Sequence, residues 1–497
     1  MRLAPAWPAA LLAGVAQTFS FAPFEHWWLQ IAALAVLAAL AADASAPRAA
    51  LLGWLFGVGW LVSGLWWLYI SMHDFGGMAP ALAALAVFVL AALLALYYAA
   101  ALALFARCRR GRPLADGVLF AACWLLAELA RGVFFTGFPW IASGYAHAVG
   151  PLAAWAPWIG VYGLCALAAW LAYGVAAVLR PGAARGRFAG IVFVGLAAAA
   201  IAAPLALPSG FTRSSGELNV SLLQPSIAQN QKFDPALMQQ HLQALAGQIG
   251  AARATLVVTP ESVIPFTRSE LSGAYWNQLV RPFAAPGRAL LVGIFLGNED
   301  EGFVNSVVGV SGDAPGKEYH YGKRHLLPFG EFVPPGFRWF VDLMKIPLGD
   351  QVRGSSSAPF DAGGQRLRPL ICFEDLFGEE MAESVVGADP ATLFVNVSNL
   401  AWFGPRLVQD QQLQFSQMRA LEFERGVIRS TNTGATAVVD HHGRVTARLP
   451  PLVRGTLDAS VEGRVGETPY ARWLARAGLW PLALLALGAL LVLRRRG

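Results

Sequence analysis

The chain has 497 residues, of which 56% are hydrophobic and only 14% charged, and its mean hydropathy is +0.49. Soluble domains carry about 25% charged residues, so this is not an ordinary soluble chain. A net charge of +6 and a pI near 9.3 would suit nucleic acid, but the arginines flank apolar stretches and form no basic patch interleaved with aromatics, which argues against it.

In chain order, apolar stretches long enough to cross a bilayer fall at about 6–22, 27–43, 50–71, 80–106, 115–133, 152–179 and 188–206, with another at 478–493; a span needs about 20 such residues. The first carries one arginine and no small-residue cleavage site, and the next span follows at once, so it reads as a span and not a signal peptide. The loops after the second, fourth and sixth spans hold Arg48, then Arg107, Arg109, Arg110 and Arg112, then Arg180, Arg185 and Arg187. The loops between them hold Glu25, His26, His73 and Asp74, with almost no cation before Arg131 at a span edge. This alternation puts the N-terminus in the cytoplasm and residues 209–476 on the outer side. The last span returns Arg494, Arg495 and Arg496 to the cytoplasm.

Residues 209–476 have the composition of a globular domain, reading as alternating strands and helices. Strands are expected at Leu218–Leu223, Thr255–Thr259, Leu290–Leu296, Val304–Val310, Pro369–Ile371, Thr392–Val397, Thr436–Val439 and Gly455–Asp458. Helices are expected at Pro235–Ile249, Leu376–Val386 and Arg406–Glu424. Several strands are unbroken apolar runs, as when both faces are covered. An α/β sandwich is the expected fold.

Of four cysteines, Cys108, Cys123 and Cys165 belong to the apolar half, and Cys372 is alone in its domain. A lone thiol there is either a small buried residue after a strand or a nucleophile at a strand-to-helix turn, where a helix N-terminus would lower its pKa. Its neighbours Phe373, Glu374 and Asp375 favour the nucleophile. Thr259-Pro260-Glu261-Ser262 places a carboxylate just past an apolar strand. A dense run from Tyr321 through Lys323 to Glu331, and Val397 to Gly404 with Ser398, Asn399 and Trp402, follow strand material in the same way. Alone, Glu261 or Lys323 would more often be a solvated surface charge; together with Cys372, at the ends of strands of one sheet, they make a Glu–Lys–Cys set.

In that order and context, Glu261, Lys323 and Cys372 resemble the Glu-Lys-Cys triad of the nitrilase superfamily. With Phe138-Pro139-Trp140, Ser143-Gly144-Tyr145 and membrane spans on both sides, the chain resembles the membrane-bound branch of that superfamily, the apolipoprotein N-acyltransferase family. The resemblance covers essentially the whole chain. It implies a polytopic α-helical membrane domain (residues 1–208), an α/β nitrilase-like αββα sandwich facing the periplasm (209–476), and a C-terminal transmembrane helix with a cytoplasmic arginine tail (477–497). It also implies a multi-pass protein of the bacterial inner membrane with both termini cytoplasmic, a phospholipid acyl donor, and a diacylglyceryl apolipoprotein acceptor. Glu261 would be the general base and Cys372 the nucleophile. Lys323 and the Phe373 N–H would hold the oxyanion, each donor worth about 3–4 kcal/mol. Glu331 would support the lysine or the incoming amine, and Glu374 would be a further required acid. Three positions depart from the family pattern: Phe373 stands where some relatives have tyrosine, Leu400 where aspartate is frequent, and Phe233 where tryptophan is common.

The apolar segment Phe332–Leu348, with Trp339 and Phe340, reads as a loop that dips toward lipid, with Phe233 and Trp402 as further substrate contacts; packing in a core is the plainer reading of the segment. No cofactor and no metal site are expected: the His441-His442 pair lies in a turn at Asp440–Gly443, and no glycine-rich phosphate loop follows a strand. The alternative function is a membrane-bound nitrilase-type amidase that hydrolyses a small amide.

Overall fold

The apolar half forms helices because its alanine and leucine runs are long and carry few backbone breakers. In the computed structural model, which describes residues 6–179, 184–207, 210–333, 336, 338, 351–405 and 407–494, these are α1 (Ala6–Thr18), α2 (Trp27–Ala41), α3 (Ala46–Leu65), α4 (Pro80–Cys108), α5 (Pro113–Val133), α6 (Ala156–Leu179) and α7 (Ala184–Ala206). Proline in the first turn of α3, α4 and α5 starts each of them where no N–H partner is lost. Among the described residues four helices are long and apolar enough to cross a membrane, or five if Pro469–Ala477 and Trp480–Leu493 count as one broken span. The stretches expected at 6–22 and 27–43 fold as shorter helices. Arg131, read from sequence as a cation at a span edge, is buried in α5. It is paired with Glu128 at 2.9 Å and donates to the carbonyls of Phe138 and Trp140 at 2.8 and 2.9 Å. Glu128 in turn accepts from the Ser143 hydroxyl at 2.7 Å, so the pair anchors the loop after α5.

The chain divides into two compact units, one of residues 1–69, 79–209 and 476–497, the other of 70–78 and 210–475. In the second unit, strands β1 (Thr212–Gln224), β2 (Leu256–Val258), β3 (Ala289–Asn298), β4 (Gly302–Ser311) and β5 (Glu318–Gly322) precede β6 (Phe360–Ala362), β7 (Gln365–Ile371), β8 (Leu393–Ser398) and β9 (Gly426–Thr431). β10 (Ala437–Val439), β11 (Val445–Arg448) and β12 (Gly455–Gly466) complete the set. They make two six-stranded sheets, ordered β12-β1-β2-β3-β4-β5 and β11-β10-β9-β8-β7-β6. β1, β2 and β3 run parallel, as do β7, β8 and β9.

The period-two pattern explains the apolar runs. Leu222, Leu256, Val258 and Leu291 point between the sheets, where they meet Leu367, Ile371, Val395, Val397 and Ile428. Their neighbours Leu223, Val257, Leu290 and Val292 point the other way and pack with Leu245, Ile249, Trp276 and Leu279 of α8 (Pro235–Ala251) and α9 (Gly273–Val280). Asp234 caps α8, accepting from the Ala236 N–H at 2.9 Å. The helix α10 (Leu407–Phe423) is buried on nearly every face, Gln409, Gln411, Gln412 and Gln414 included.

Four strands were not expected. β5 mixes polar and aromatic residues, β6 is three residues long, β9 has only Val427 and Ile428 before the polar Arg429, Ser430 and Thr431, and β11 is mostly exposed. The helix expected at Leu376–Val386 is corrected to short turns, Gly378–Met381 and Ala382–Val385, because Phe377 leaves helical geometry at φ −105 and ψ 79. Trp339 and Phe340, and most of the segment Phe332–Leu348 with them, lie outside the described residues.

Candidate active site

The charged and nucleophilic groups are set at strand ends, the usual place for sites in sheets of parallel strands, but not of one sheet as expected: Glu261 and Lys323 follow strands of the first sheet and Cys372 follows a strand of the second, because the two sheets pack face to face. Glu261 follows β2 and is 7% exposed. Its Oε1 accepts from Asn305 Nδ2 and its Oε2 from the backbone N–H of Asn399, both at 2.8 Å. Lys323 follows β5, its N–H bonded to the Asn305 carbonyl at 2.8 Å, so β4 positions Glu261 and Lys323 through one residue. The Lys323 Nζ lies 2.6 Å from Glu331 Oε1 and 3.6 Å from Glu261 Oε1. Glu331 is itself held by the Leu327 N–H at 2.8 Å.

Cys372 follows β7 with φ 53, in the left-handed region, a conformation that costs a non-glycine residue about 1–3 kcal/mol. Two amides hold it there: Asn396 Nδ2 and Gln412 Nε2 donate to the Cys372 carbonyl at 3.1 and 2.9 Å. Arg429 donates to Gln412 Oε1 at 2.7 Å and to Asp375 Oδ2 at 2.8 Å, and Ser416 donates to the same Asp375 oxygen at 2.9 Å. Asp375 lies three residues past Cys372, so this network fixes the turn from behind. Burial lifts the Asp375 carboxyl to about 6, against the pull of Arg429.

Glu374 takes four donors. Its Oε1 accepts from the N–H groups of Arg324 and His325 at 2.6 and 3.2 Å, its Oε2 from Tyr321 Oη and the Ile371 N–H at 2.8 and 2.7 Å. It therefore joins the Lys323 loop to the Cys372 turn, a bracket and not a free acid. Phe373 is buried against Phe377 and His325, at ring distances of 5.2 and 5.7 Å.

The electrostatics divide the roles. Burial, and after it the Glu261 carboxylate, push the Cys372 thiol well above the ordinary cysteine value, against the pull of Lys323. The lowered value expected from a helix N-terminus is thus corrected: five residues of 3-10 helix do not outweigh desolvation beside a carboxylate. Burial also opposes the charge of Lys323, yet Glu331 and then Glu261 raise its ammonium above the usual lysine value. The site holds a protonated thiol, a carboxylate and a permanent cation.

Of the expected substrate contacts, Phe233 is 51% exposed beside the buried Lys232, and Trp402 packs edge-on against Phe75 at 5.8 Å. Neither joins the Glu261–Lys323–Cys372 group by any contact described above. Sequence reasoning missed Asn305, Asn396, Gln412, Arg429 and Lys232. None of them carried a signal: even Arg429 is followed by Ser430 and Thr431 and reads as the start of a polar stretch.

Residues 219–470 match the carbon-nitrogen hydrolase family model, which gives the class of this unit. A solved carbon-nitrogen hydrolase superfamily protein from Xanthomonas campestris aligns at 20% identity over 54% of this chain and 97% of its own, with a TM-score of 0.36. Residues 13–174 match the model of the apolipoprotein N-acyltransferase N-terminal domain. Apolipoprotein N-acyltransferases from Verminephrobacter eiseniae and Ralstonia nicotianae are 47% and 44% identical, covering 95% and 100% of this chain and 94% and 95% of their own. The chain belongs to the apolipoprotein N-acyltransferase family.

Proposed function

We propose that the protein transfers a fatty acyl chain from a phospholipid, by way of a thioester on Cys372, to the N-terminal α-amine of diacylglyceryl-cysteine apolipoproteins. One observation carries the reading: at strand ends in a chain of this family, the partly buried thiol of Cys372 interacts electrostatically with the Glu261 carboxylate and with the Lys323 ammonium, which keeps its charge. A thiol held protonated by burial must lose its proton as it attacks, so a base is required, and of the carboxylates that act on it, Glu261, Glu331 and Asp375, Glu261 acts most strongly. Lys323, permanently charged, is suited to the developing oxyanion and not to proton removal. The Phe373 N–H would be the second oxyanion donor.

In the first step the Cys372 sulfur attacks the ester carbonyl of the donor, its proton passes to Glu261, and the lysophospholipid oxygen leaves with that proton. In the second, the neutral α-amine attacks the thioester carbonyl. The C–S bond breaks, Glu261 takes the amine proton and returns it to the sulfur, and an amide remains. Glu331 supports the ammonium of Lys323 at 2.6 Å, and Glu374 is a positioning residue through its four bonds. Phe233, Trp339, Phe340 and Trp402 are the proposed contacts of the acyl chains.

We further place the protein in the inner membrane, with residues 1–208 and 477–497 spanning it, residues 209–476 as the periplasmic catalytic domain, and both termini in the cytoplasm. The arginine alternation supports this orientation. A reporter fused after Gly210 should read as periplasmic and one in the Arg107–Arg112 loop as cytoplasmic; the reverse pair contradicts the placement. The match of residues 13–174 supports the acyltransferase over the amidase. Mass spectrometry of a lipoprotein N-terminus from a strain depleted of the protein decides between them: loss of the amide-linked chain is expected, and its retention favours hydrolysis of some other amide.

A further inference from the structure

Lys232 lies on the segment between β1 and α8 and is 4% exposed. Its Nζ donates to the Ser262 hydroxyl at 2.7 Å. Ser262 is the residue after Glu261 and sits in the left-handed region at φ 43. The same segment is fastened again at Gln229, whose Oε1 accepts from Asn399 Nδ2 at 2.9 Å, and Asn399 is the residue whose backbone N–H binds Glu261. Ile227 completes the attachment, exchanging bonds of 2.9 and 2.8 Å with the Asn432 side chain. The segment thus grips both the turn that carries Glu261 and the residue that bonds its carboxylate.

Charge counting points the same way. Glu261 and Glu331 are both buried and share one cation, Lys323, at 3.6 and 2.6 Å, and one amide donor, Asn305, at 2.8 and 3.4 Å. Two acidic side chains therefore share one ammonium. The ammonium of Lys232 interacts electrostatically with Glu261 and supplies a second.

We propose that Lys232 is a positioning residue for Glu261: through its bond to Ser262 it fixes the turn that presents the carboxylate, and its buried ammonium sets a second positive charge at that turn. This rests on Glu261 being the base proposed above. The charged and titratable groups facing Glu261 are Lys323, Glu331, Cys372 and Lys232; Asn305 and Asn399 are neutral. The two lysines are tuned in opposite directions. Lys323 keeps its proton, whereas burial pulls Lys232 down to about 8, against the attraction of Glu261. The support it gives is therefore present at neutral pH and is lost above about pH 8.

The test follows acyl-enzyme formation on the full-length protein in detergent, with a phospholipid donor, from about pH 5 to about pH 9.5. Lys232→Met should slow acylation by about tenfold or more at pH 7 with the donor KM unchanged, and the deficit should shrink above about pH 8, where the wild-type lysine has lost its own charge. Lys232→Arg, which keeps a cation, should stay within about threefold of the wild type at pH 7, and Ser262→Ala should slow acylation by one factor at every pH. A Lys232→Met rate equal to the wild type, a deficit unchanged from pH 7 to about pH 9.5, or a Lys232→Arg rate as low as that of Lys232→Met overturns the inference. If Lys232→Met collapses the melting curve, the arginine variant decides: a near-wild-type rate supports the role and a low one rejects it. Glu261→Gln separates the two readings. Acylation by that variant within about tenfold of wild type removes the base assignment itself, whereas an inactive Glu261→Gln beside an unslowed Lys232→Met removes only the role of Lys232.

Discussion

Helices α4 and α10 invert each other. α4 is almost wholly apolar and leaves Leu82, Leu85, Phe88, Val89, Leu93 and Leu96 exposed, whereas α10 is rich in glutamine and buries nearly every side chain. For a helix in water both arrangements would be unfavourable. They make sense once the surroundings differ: an apolar surface is compatible with lipid, and polar groups in a protein interior persist when bonded. In α10, Gln412, Gln417 and Ser416 find Cys372, Gly443 and Asp375 as partners at about 2.9 Å each. Polarity thus marks bonding opportunity, not exposure.

The comparison breaks most severely at Arg429, which serves α10 and the Cys372 turn together. Arg429→Met should cost about 3–5 kcal/mol of stability, because Asp375 is left buried and unpaired; chemical denaturation in detergent measures it, and a loss under 1 kcal/mol would mean the network is slack. Gln412→Leu removes one member without stranding a charge, for about 1–3 kcal/mol. Since its amide holds the Cys372 backbone, acylation should also slow by about ten- to a hundredfold, and unchanged acylation would show that Asn396 alone suffices.

Asp375 gives the comparison a pH dependence. Its folded value of about 6 lies above the ordinary carboxylate value, so the folded state binds this proton more tightly than the unfolded one. The group's contribution to stability is then fully present below about pH 4 and is lost as pH rises through about 6. Asp375→Asn lacks that slope, so the wild type should lead the variant by more at pH 4.5 than at pH 7. The opposite trend would show that Arg429, not burial, dominates the carboxyl. The smallest effect belongs to α4: Leu93→Ala should change stability by about 0.5 kcal/mol or less, since lipid tails replace what is lost. Leu93→Arg should hinder insertion by about 2.5–3.5 kcal/mol, and a harmless arginine would place that face in water.

The same contrast explains what could be read in advance. The strands β2, β3, β4 and β8 were legible, because apolar runs of that length have few other readings, and Glu261, Lys323 and Cys372 could be singled out as reactive side chains that follow strand material. Lys232, Asn305 and Gln412 were not, since a polar residue in a polar stretch looks like surface until long-range packing buries it. Gln412 is forty residues from the Cys372 carbonyl it holds, and Asn305 forty-four from Glu261. Strand β6 was too short to register, and β9 was masked by the very arginine that anchors the turn. The direction of the Cys372 shift was also beyond local reading: a strand-to-helix turn promises a lowered value, and only the fold supplies the burial and the Glu261 charge that reverse it.

The central claim is the thioester, and intact-protein mass spectrometry tests it most directly. The purified protein mixed with phospholipid, with no amine acceptor present, should gain the mass of one acyl chain on Cys372. Neutral hydroxylamine should remove it, addition of a diacylglyceryl peptide should discharge it into an amide, and Cys372→Ala should show neither adduct nor transfer. Transfer to the peptide with no acylated protein at any time, or an adduct that survives in Cys372→Ala, would contradict the account.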